Sequence, residues 1–155
     1  MEQVKSACGR SLDALSREAP TLVVFMRHFT CIYCRETLAE LSRLRAELES
    51  EGVRIVAVHM GSEAQAANLL ELFHLGDIVQ ISDPERLLYR AFGLERTTVG
   101  QLLTPASWSG MLRAGWKSFF LPGKALGAVV GDVLQLPGVL LLKDGQVIAE
   151  SMPDR

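Results

Sequence analysis

The sequence predicts an α/β fold, a three-layer α/β/α sandwich around a central mixed sheet of about five strands. Three observations lead there. The apolar runs at Thr21–Met26 and Val53–Val58 lack the alternation of a half-solvated strand, which suits parallel strands covered on both faces. A helical pattern of some twenty residues separates them, and strand–helix–strand implies a right-handed parallel crossover. Finally, the apolar stretch Val139–Lys143 runs into Asp144-Gly145, a strong two-residue hairpin turn.

Each element has its own local signal. Residues 1–20 form a mixed lead-in ended by Pro20. The first long helix is expected from about Cys31 to Ser50, with Leu38, Leu41, Leu44 and Leu48 on one face and Arg43 and Glu47 on the exposed side. Gly52 stops it. Ser62 and Gln65 make a capping box for a helix reaching Leu75, ended by Gly76. Ile78–Ile81 is a short strand. Asp83-Pro84 then supplies the N-cap and first helical residue of a helix over Pro84–Phe92, with Gly93 after it. Gln146–Glu150 should return antiparallel to Val139–Lys143. The expected sheet order is 78–81, 53–59, 21–26, 139–143, 146–150, within a single domain over 1–155.

Residues 94–132 read as a helical or loop insertion before the terminal hairpin. Thr104-Pro105 resembles a helix start, and Trp108, Met111, Leu112 and Trp116 share a helical face, as core or as a ligand site.

Composition narrows the function classes. Hydrophobic residues are 48% and charged residues 22% of 155, ordinary for one soluble globular domain. Net charge is −2 and no Lys/Arg run forms a nucleic-acid footprint. The apolar region Phe119–Leu142 is broken by Pro122, Lys124, Asp132 and Pro137, so no membrane span is expected. Charge near Met1 argues against a secretory signal, and the expected location is cytoplasmic. Three cysteines do not make a disulfide-stapled fold; a C-x-x-C pair beside a βαβ pattern reads as redox or metal chemistry.

The chemistry concentrates in Leu22-Val-Val-Phe-Met-Arg-His-Phe-Thr-Cys31-Ile-Tyr-Cys34-Arg-Glu36. A buried strand leads through a short loop to two cysteines where a helix begins. Unpaired N–H groups and the positive end of the helix dipole favour a thiolate at Cys31. One turn on, Cys34 can attack a mixed disulfide formed at Cys31. Against this stand two inert buried thiols, or a zinc site completed by Cys8, His28 and His59. Cys8 is otherwise an unremarkable N-terminal cysteine or a second resolving thiol. His28 either tunes the Cys31 thiolate as a nearby cation or packs the loop. His59 and His74 read as structural, His74 favourably placed at a helix C-terminus. Arg27 and Arg35 flank the pair, Arg35 on solvated surface, and Arg96 and Arg113 are candidates for a more distant active-site arginine. No G-x-G-x-x-G follows a strand and there is no P-loop, so no nucleotide, flavin or metal cofactor is called for.

Three strings carry a family resemblance: Phe25-Met-Arg-His-Phe-Thr-Cys31-Ile-Tyr-Cys34-Arg-Glu36, then Ser82-Asp-Pro followed by Leu88-Tyr-Arg-Ala-Phe-Gly93-Leu, and Gly131-Asp-Val-Leu-Gln-Leu-Pro-Gly138-Val. In this order they resemble the thioredoxin-like superfamily, and within it the peroxiredoxin-like AhpC/TSA (alkyl hydroperoxide reductase/thiol-specific antioxidant) family. The resemblance implies a thiol-dependent oxidoreductase, a peroxiredoxin-like antioxidant or a dithiol–disulfide oxidoreductase. Cys31 would attack and Cys34 resolve, with Thr30, His28 and Arg27 around them. Pro137 would match the cis-proline that faces the redox cysteines in thioredoxin-like proteins. The substrate would be a peroxide or a protein or small-molecule disulfide, and the reductant an external thiol system such as thioredoxin or glutathione.

Two departures stand out. Typical peroxiredoxins carry P-x-x-x-T-x-x-C, whereas here His28 stands three before Cys31 and Thr30 is adjacent to it. Nor is there a C-G-P-C. The alternative function is a non-catalytic thioredoxin-fold binding module or redox-sensitive switch. Because no helix-length segment follows Glu150, the terminal hairpin is expected to be covered by the lead-in, by residues 104–130, or by a second copy in a homodimer.

Overall fold

The computed structural model describes residues 4–6, 9–94 and 137–151. Five strands form one mixed sheet: β1 (Thr21–Phe25), β2 (Arg54–His59), β3 (Val79–Ser82), β4 (Gly138–Lys143) and β5 (Gln146–Ser151), in the order β3-β2-β1-β4-β5. This is the expected order. β1 pairs parallel with β2, and β2 with β3; β4 runs antiparallel to both β1 and β5. The covered β1 and β2 bury nearly every side chain, as their unbroken apolar runs require.

Four helices flank the sheet: α1 (Leu12–Glu18), α2 (Ile32–Ser50), α3 (Glu63–Glu71) and α4 (Leu87–Ala91). Leu12 and Leu15 of α1 and Leu88 and Tyr89 of α4 cover one face, packing on Val23, Phe25, Val56, Val58, Leu140 and Leu142. Leu38 and Leu41 of α2 and Leu69 and Leu70 of α3 cover the other, against Val24, Ile55 and Ala57. The sandwich therefore has the three layers expected. Part of the lead-in is α1, which covers the Leu140/Leu142 side of β4. The 104–130 segment and nearly all of the expected 94–132 insertion lie outside the described residues. On β5, Val147 and Ile148 are exposed.

Several turn chemistries appear as expected. Ser62 and Gln65 form the reciprocal capping box of α3. Asp144 and Gly145, at φ +52 and +75, make the hairpin turn, and their N–H groups donate to the Ser16 carbonyl and hydroxyl oxygens at 3.0 and 3.1 Å. Gly52 and Gly93, at φ +74 and +68, let the Val53 and Leu94 N–H groups reach back to the Leu48 and Tyr89 carbonyls.

Other boundaries differ from expectation. α3 stops at Glu71 rather than Leu75, and His74 takes the left-handed position (φ +57) expected of Gly76, with the Leu75 N–H returning to the Leu70 carbonyl at 2.9 Å. α4 begins at Leu87 rather than Pro84, because the Asp83–Arg86 turn leaves Arg86 left-handed at φ +58. Asp83 still caps, but from a distance: its carboxylate accepts the Leu87 and Leu88 N–H groups at 2.9 and 2.8 Å. On α2, Leu44 faces solvent and Arg45 takes the inner position between Leu41 and Leu48. Arg43 and Glu47 are exposed as expected, and Arg43 pairs with Glu40 at 2.7 Å.

Candidate active site

The site lies where β1 hands over to α2. Phe25 pairs with Val58, and the Met26 N–H donates to the Val58 carbonyl at 2.9 Å, which extends β1 by one residue. The chain then turns, with the Cys31 N–H donating to the His28 carbonyl at 3.0 Å. Cys31 is the N-cap of α2, its own carbonyl accepting the Arg35 N–H at 3.0 Å, and no acidic residue stands in the first turn. The helix N-terminus expected at the first cysteine is therefore present, with no negative charge there to oppose a thiolate.

Both thiols are reduced and buried, Cys31 with 4% and Cys34 with 3% of its surface exposed. They belong to the core layer under α2 and α3, alongside Met26, Leu38 and Phe73. A hydrogen bond between the two sulfurs, followed by burial, pushes the Cys34 thiol well above its ordinary value. The Arg27 and His28 backbone N–H groups pull it back down. The Arg27 nitrogen lies 3.3 Å from the Cys34 sulfur.

The surrounding loop residues take distinct roles. His28 places Nδ1 2.9 Å from the Thr30 hydroxyl. Burial and the neighbouring Arg27 charge both lower the His28 pKa, which disfavours the imidazolium form in which it could tune Cys31. Arg27, Thr30 and Phe29 are half-buried, and the Phe29 ring lies 5.7 Å from that of His59. His59 is fully buried, as a structural reading requires, with Nδ1 3.0 Å from the Gly61 carbonyl and Nε2 3.2 Å from Gln80 Oε1.

Arg35 corrects an expectation. It is buried rather than solvated, because one turn past Cys31 its guanidinium lies 5.7 Å from the centre of the Phe73 ring, just beyond α3. Pro137 is half-buried and precedes Gly138, the partner of Phe25, so it sits at the same end of the sheet as the 26–31 loop. The Leu136–Pro137 bond, Cys8, Arg96, Arg113 and the Trp108/Trp116 face lie outside the described residues. Among the described residues no three His, Cys, Asp or Glu side chains gather as a metal site.

One contributor was not singled out from the sequence. Tyr89, buried on the opposite face, places its hydroxyl 2.5 Å from the Met26 carbonyl and 3.1 Å from that of Val58. The signal was present in Leu88-Tyr-Arg-Ala-Phe: a phenol on the apolar face of a short helix needs a buried acceptor.

The family model of the AhpC/TSA antioxidant enzymes matches residues 40–154. The chain belongs to this family. Among its relatives, a prostamide/prostaglandin F synthase from Salmo salar is 30% identical over 146 residues, covering 92% of this chain and 70% of its own length. Peroxiredoxin-like 2C from Homo sapiens is 30% identical over 142 residues, and the match spans 87% of this chain but only 61% of that protein. Solved structures agree on the fold. Peroxiredoxin Q from Xanthomonas campestris superposes with a TM-score of 0.64 at 16% identity, over 98% of this chain and 80% of that one. Peroxidoxin BcpB from Mycobacterium tuberculosis gives 0.63 at 14% identity, over 96% and 79%. The fold is thus thioredoxin-like and the family peroxiredoxin-like. The match to the family model begins past Cys34, so what the two thiols do must be argued from their geometry.

Proposed function

We propose that the protein is a thiol-dependent oxidoreductase in which Cys31 attacks and Cys34 resolves. The observation that supports this reading most directly is the pair of neighbouring buried sulfurs at the start of α2, where the hydrogen bond from Cys31 and burial raise the Cys34 pKa. The helix dipole in turn favours the thiolate form at Cys31.

With a peroxide ROOH, the Cys31 thiolate attacks the terminal oxygen, the O–O bond breaks, and RO⁻ leaves to be protonated as ROH. Cys31 is now a sulfenic acid. Cys34 displaces its hydroxyl as water, forming the Cys31–Cys34 disulfide, and an external dithiol or two thiols reduce it with release of their own disulfide. With a disulfide substrate the first product is a mixed disulfide at Cys31, which Cys34 resolves by expelling the second thiol. A thioredoxin or glutathione system in a reducing compartment such as the cytoplasm suits the return step. The burial of both sulfurs favours a small peroxide or small disulfide over a folded protein. The salmon relative's name adds prostaglandin-type substrates to the panel.

The same burial also supports a second reading, a redox-sensitive switch that changes partner affinity without turnover. The test is peroxide-dependent and disulfide-dependent consumption of a thiol reductant, measured side by side on wild type and Cys31→Ser. Catalytic consumption lost in the variant is expected. Oxidation that stops after one equivalent would replace the enzyme reading with the switch.

A further inference from the structure

We propose that Tyr89 is a positioning residue for Cys34, acting across the sheet through the Met26–Arg27 peptide group. Tyr89 belongs to the α1/α4 layer and Cys34 to the α2/α3 layer, so the sheet lies between them. One peptide group joins them at the sheet's end. Its carbonyl, on Met26, lies 2.5 Å from the Tyr89 hydroxyl; its N–H, on Arg27, donates to the Cys34 sulfur at 3.3 Å.

The phenol has one hydrogen to give. The Val58 carbonyl, 3.1 Å away, already takes the Met26 N–H at 2.9 Å, so the nearer Met26 oxygen is the natural acceptor. A hydrogen bond to a peptide oxygen draws electron density from the amide and makes its N–H a stronger donor. That N–H stabilises the thiolate of Cys34 more than the thiol. Tyr89 also fixes the peptide plane, which aims the N–H. Burial and the nearby Cys34 and Asp83 charges hold the Tyr89 pKa well above its ordinary value, so it remains a donor throughout the working pH range.

The consequence in turnover rests on the reading of Cys34 as the resolving thiol. Cys34 must release a proton before it can attack Cys31, and burial opposes that release. The groups acting directly on it are Cys31 at the N-cap of α2 and the Arg27 and His28 N–H groups from the loop, and the Cys34 charge in turn reaches Tyr89 on α4. Without the phenol the Arg27 donor weakens, Cys34 holds its proton more tightly, and resolution slows.

The test is made first where Cys34 stands alone. In a Cys8→Ser/Cys31→Ser background, the pH profile of Cys34 alkylation by iodoacetamide is followed by mass spectrometry, with and without Tyr89→Phe. Phenylalanine keeps the ring that packs edge-on against Phe25 at 5.0 Å and removes only the hydroxyl. The midpoint is expected to rise by about 0.5 unit, the scale of one weakened link in a hydrogen-bond chain. Leu88→Val, a core change one residue away that keeps the hydroxyl, should leave it in place. An unmoved midpoint in Tyr89→Phe, or an equal shift in Leu88→Val, overturns the proposal. In the three-cysteine protein, Tyr89→Phe should also slow formation of the Cys31–Cys34 disulfide after a pulse of hydrogen peroxide. If that disulfide never forms in the unaltered protein while the midpoint still shifts, the dithiol reading fails and the role of Tyr89 stands.

Discussion

Asp83 caps a helix that begins four residues after it: its carboxylate accepts the Leu88 N–H at 2.8 Å while itself only 1% exposed. The same carboxylate takes the Leu87 N–H at 2.9 Å, so two of the first unpaired donors of α4 end on one side chain. α4 carries Tyr89, and Asp83 thereby helps hold that phenol at the sheet's end.

Asp83→Ala should therefore destabilise the protein by about 1–2 kcal/mol, the usual cost of losing a side-chain cap. Each kcal/mol corresponds to a melting-temperature fall of roughly 2–4 °C in a chain of this size. Asp83→Asn keeps one acceptor and should lose less. Thermal denaturation of the two variants beside wild type measures the difference.

Cys31 should react first with limiting iodoacetamide near neutral pH, because it stands at the helix start while hydrogen bonding and burial raise the Cys34 pKa. Peptide mapping of the singly labelled protein identifies the site; labelling that favours Cys34 would exchange the two roles. Cys31→Ser should lower turnover by about 1000-fold or more, as removal of a covalent nucleophile does.

His59 and His28 should make stability fall in mild acid. Burial lowers both pKa values from 6.5, with the Arg27 charge adding to the effect at His28. The unfolded chain then takes up protons below pH 6.5 that the folded one refuses. Their contribution is complete above that pH and is lost as pH falls through the lower folded values. Urea midpoints should drop between about pH 7 and about pH 5, and His59→Gln should flatten part of that slope. A slope unchanged in the variant would assign it to other groups.

Arg45 clasps Asp77 through two hydrogen bonds, 2.7 and 2.5 Å, and donates to the His74 carbonyl at 2.9 Å. The Arg45 hydrogen bonds lower the Asp77 carboxyl below its usual 3.8. The stabilisation is present above pH 3.8 and disappears as pH falls through the depressed folded value. Asp77 is largely exposed, so screening limits the pair to less than about 1 kcal/mol. Asp77→Asn should cost that little near neutral pH and nothing in strong acid, and added salt should shrink the difference. Denaturant midpoints in low and high salt measure both.

What the sequence disclosed was chemistry confined to a few neighbouring residues. Ser62 with Gln65, Asp144-Gly145 and the glycine after Glu51 act within one turn, and the doubly covered parallel strands followed from which apolar runs lacked alternation. The placement of Cys31 at a helix start was legible for the same reason. Features hidden in the sequence join distant segments. Arg45, not Leu44, lies toward the inner face, and its partner Asp77 stands thirty-two residues on. Arg35 leaves water for Phe73, and Tyr89 finds its acceptor sixty-three residues earlier. The start of α4 slipped because a left-handed Arg86 carries no cue comparable to Asp-Pro.

The Arg45–Asp77 clasp and the thiols occupy opposite ends of the same parallel strands. The clasp lines a cleft of about 200 Å³ where β2 and β3 begin, beside Arg54 and Val79, whereas the cysteines stand where β1 finishes. Heritable variation can accumulate at the clasp, adjusting robustness to heat, acid or salt, while the sulfur environment stays fixed. Lineages living under different conditions can thus drift apart at one pole of the molecule without retuning its reactivity at the other.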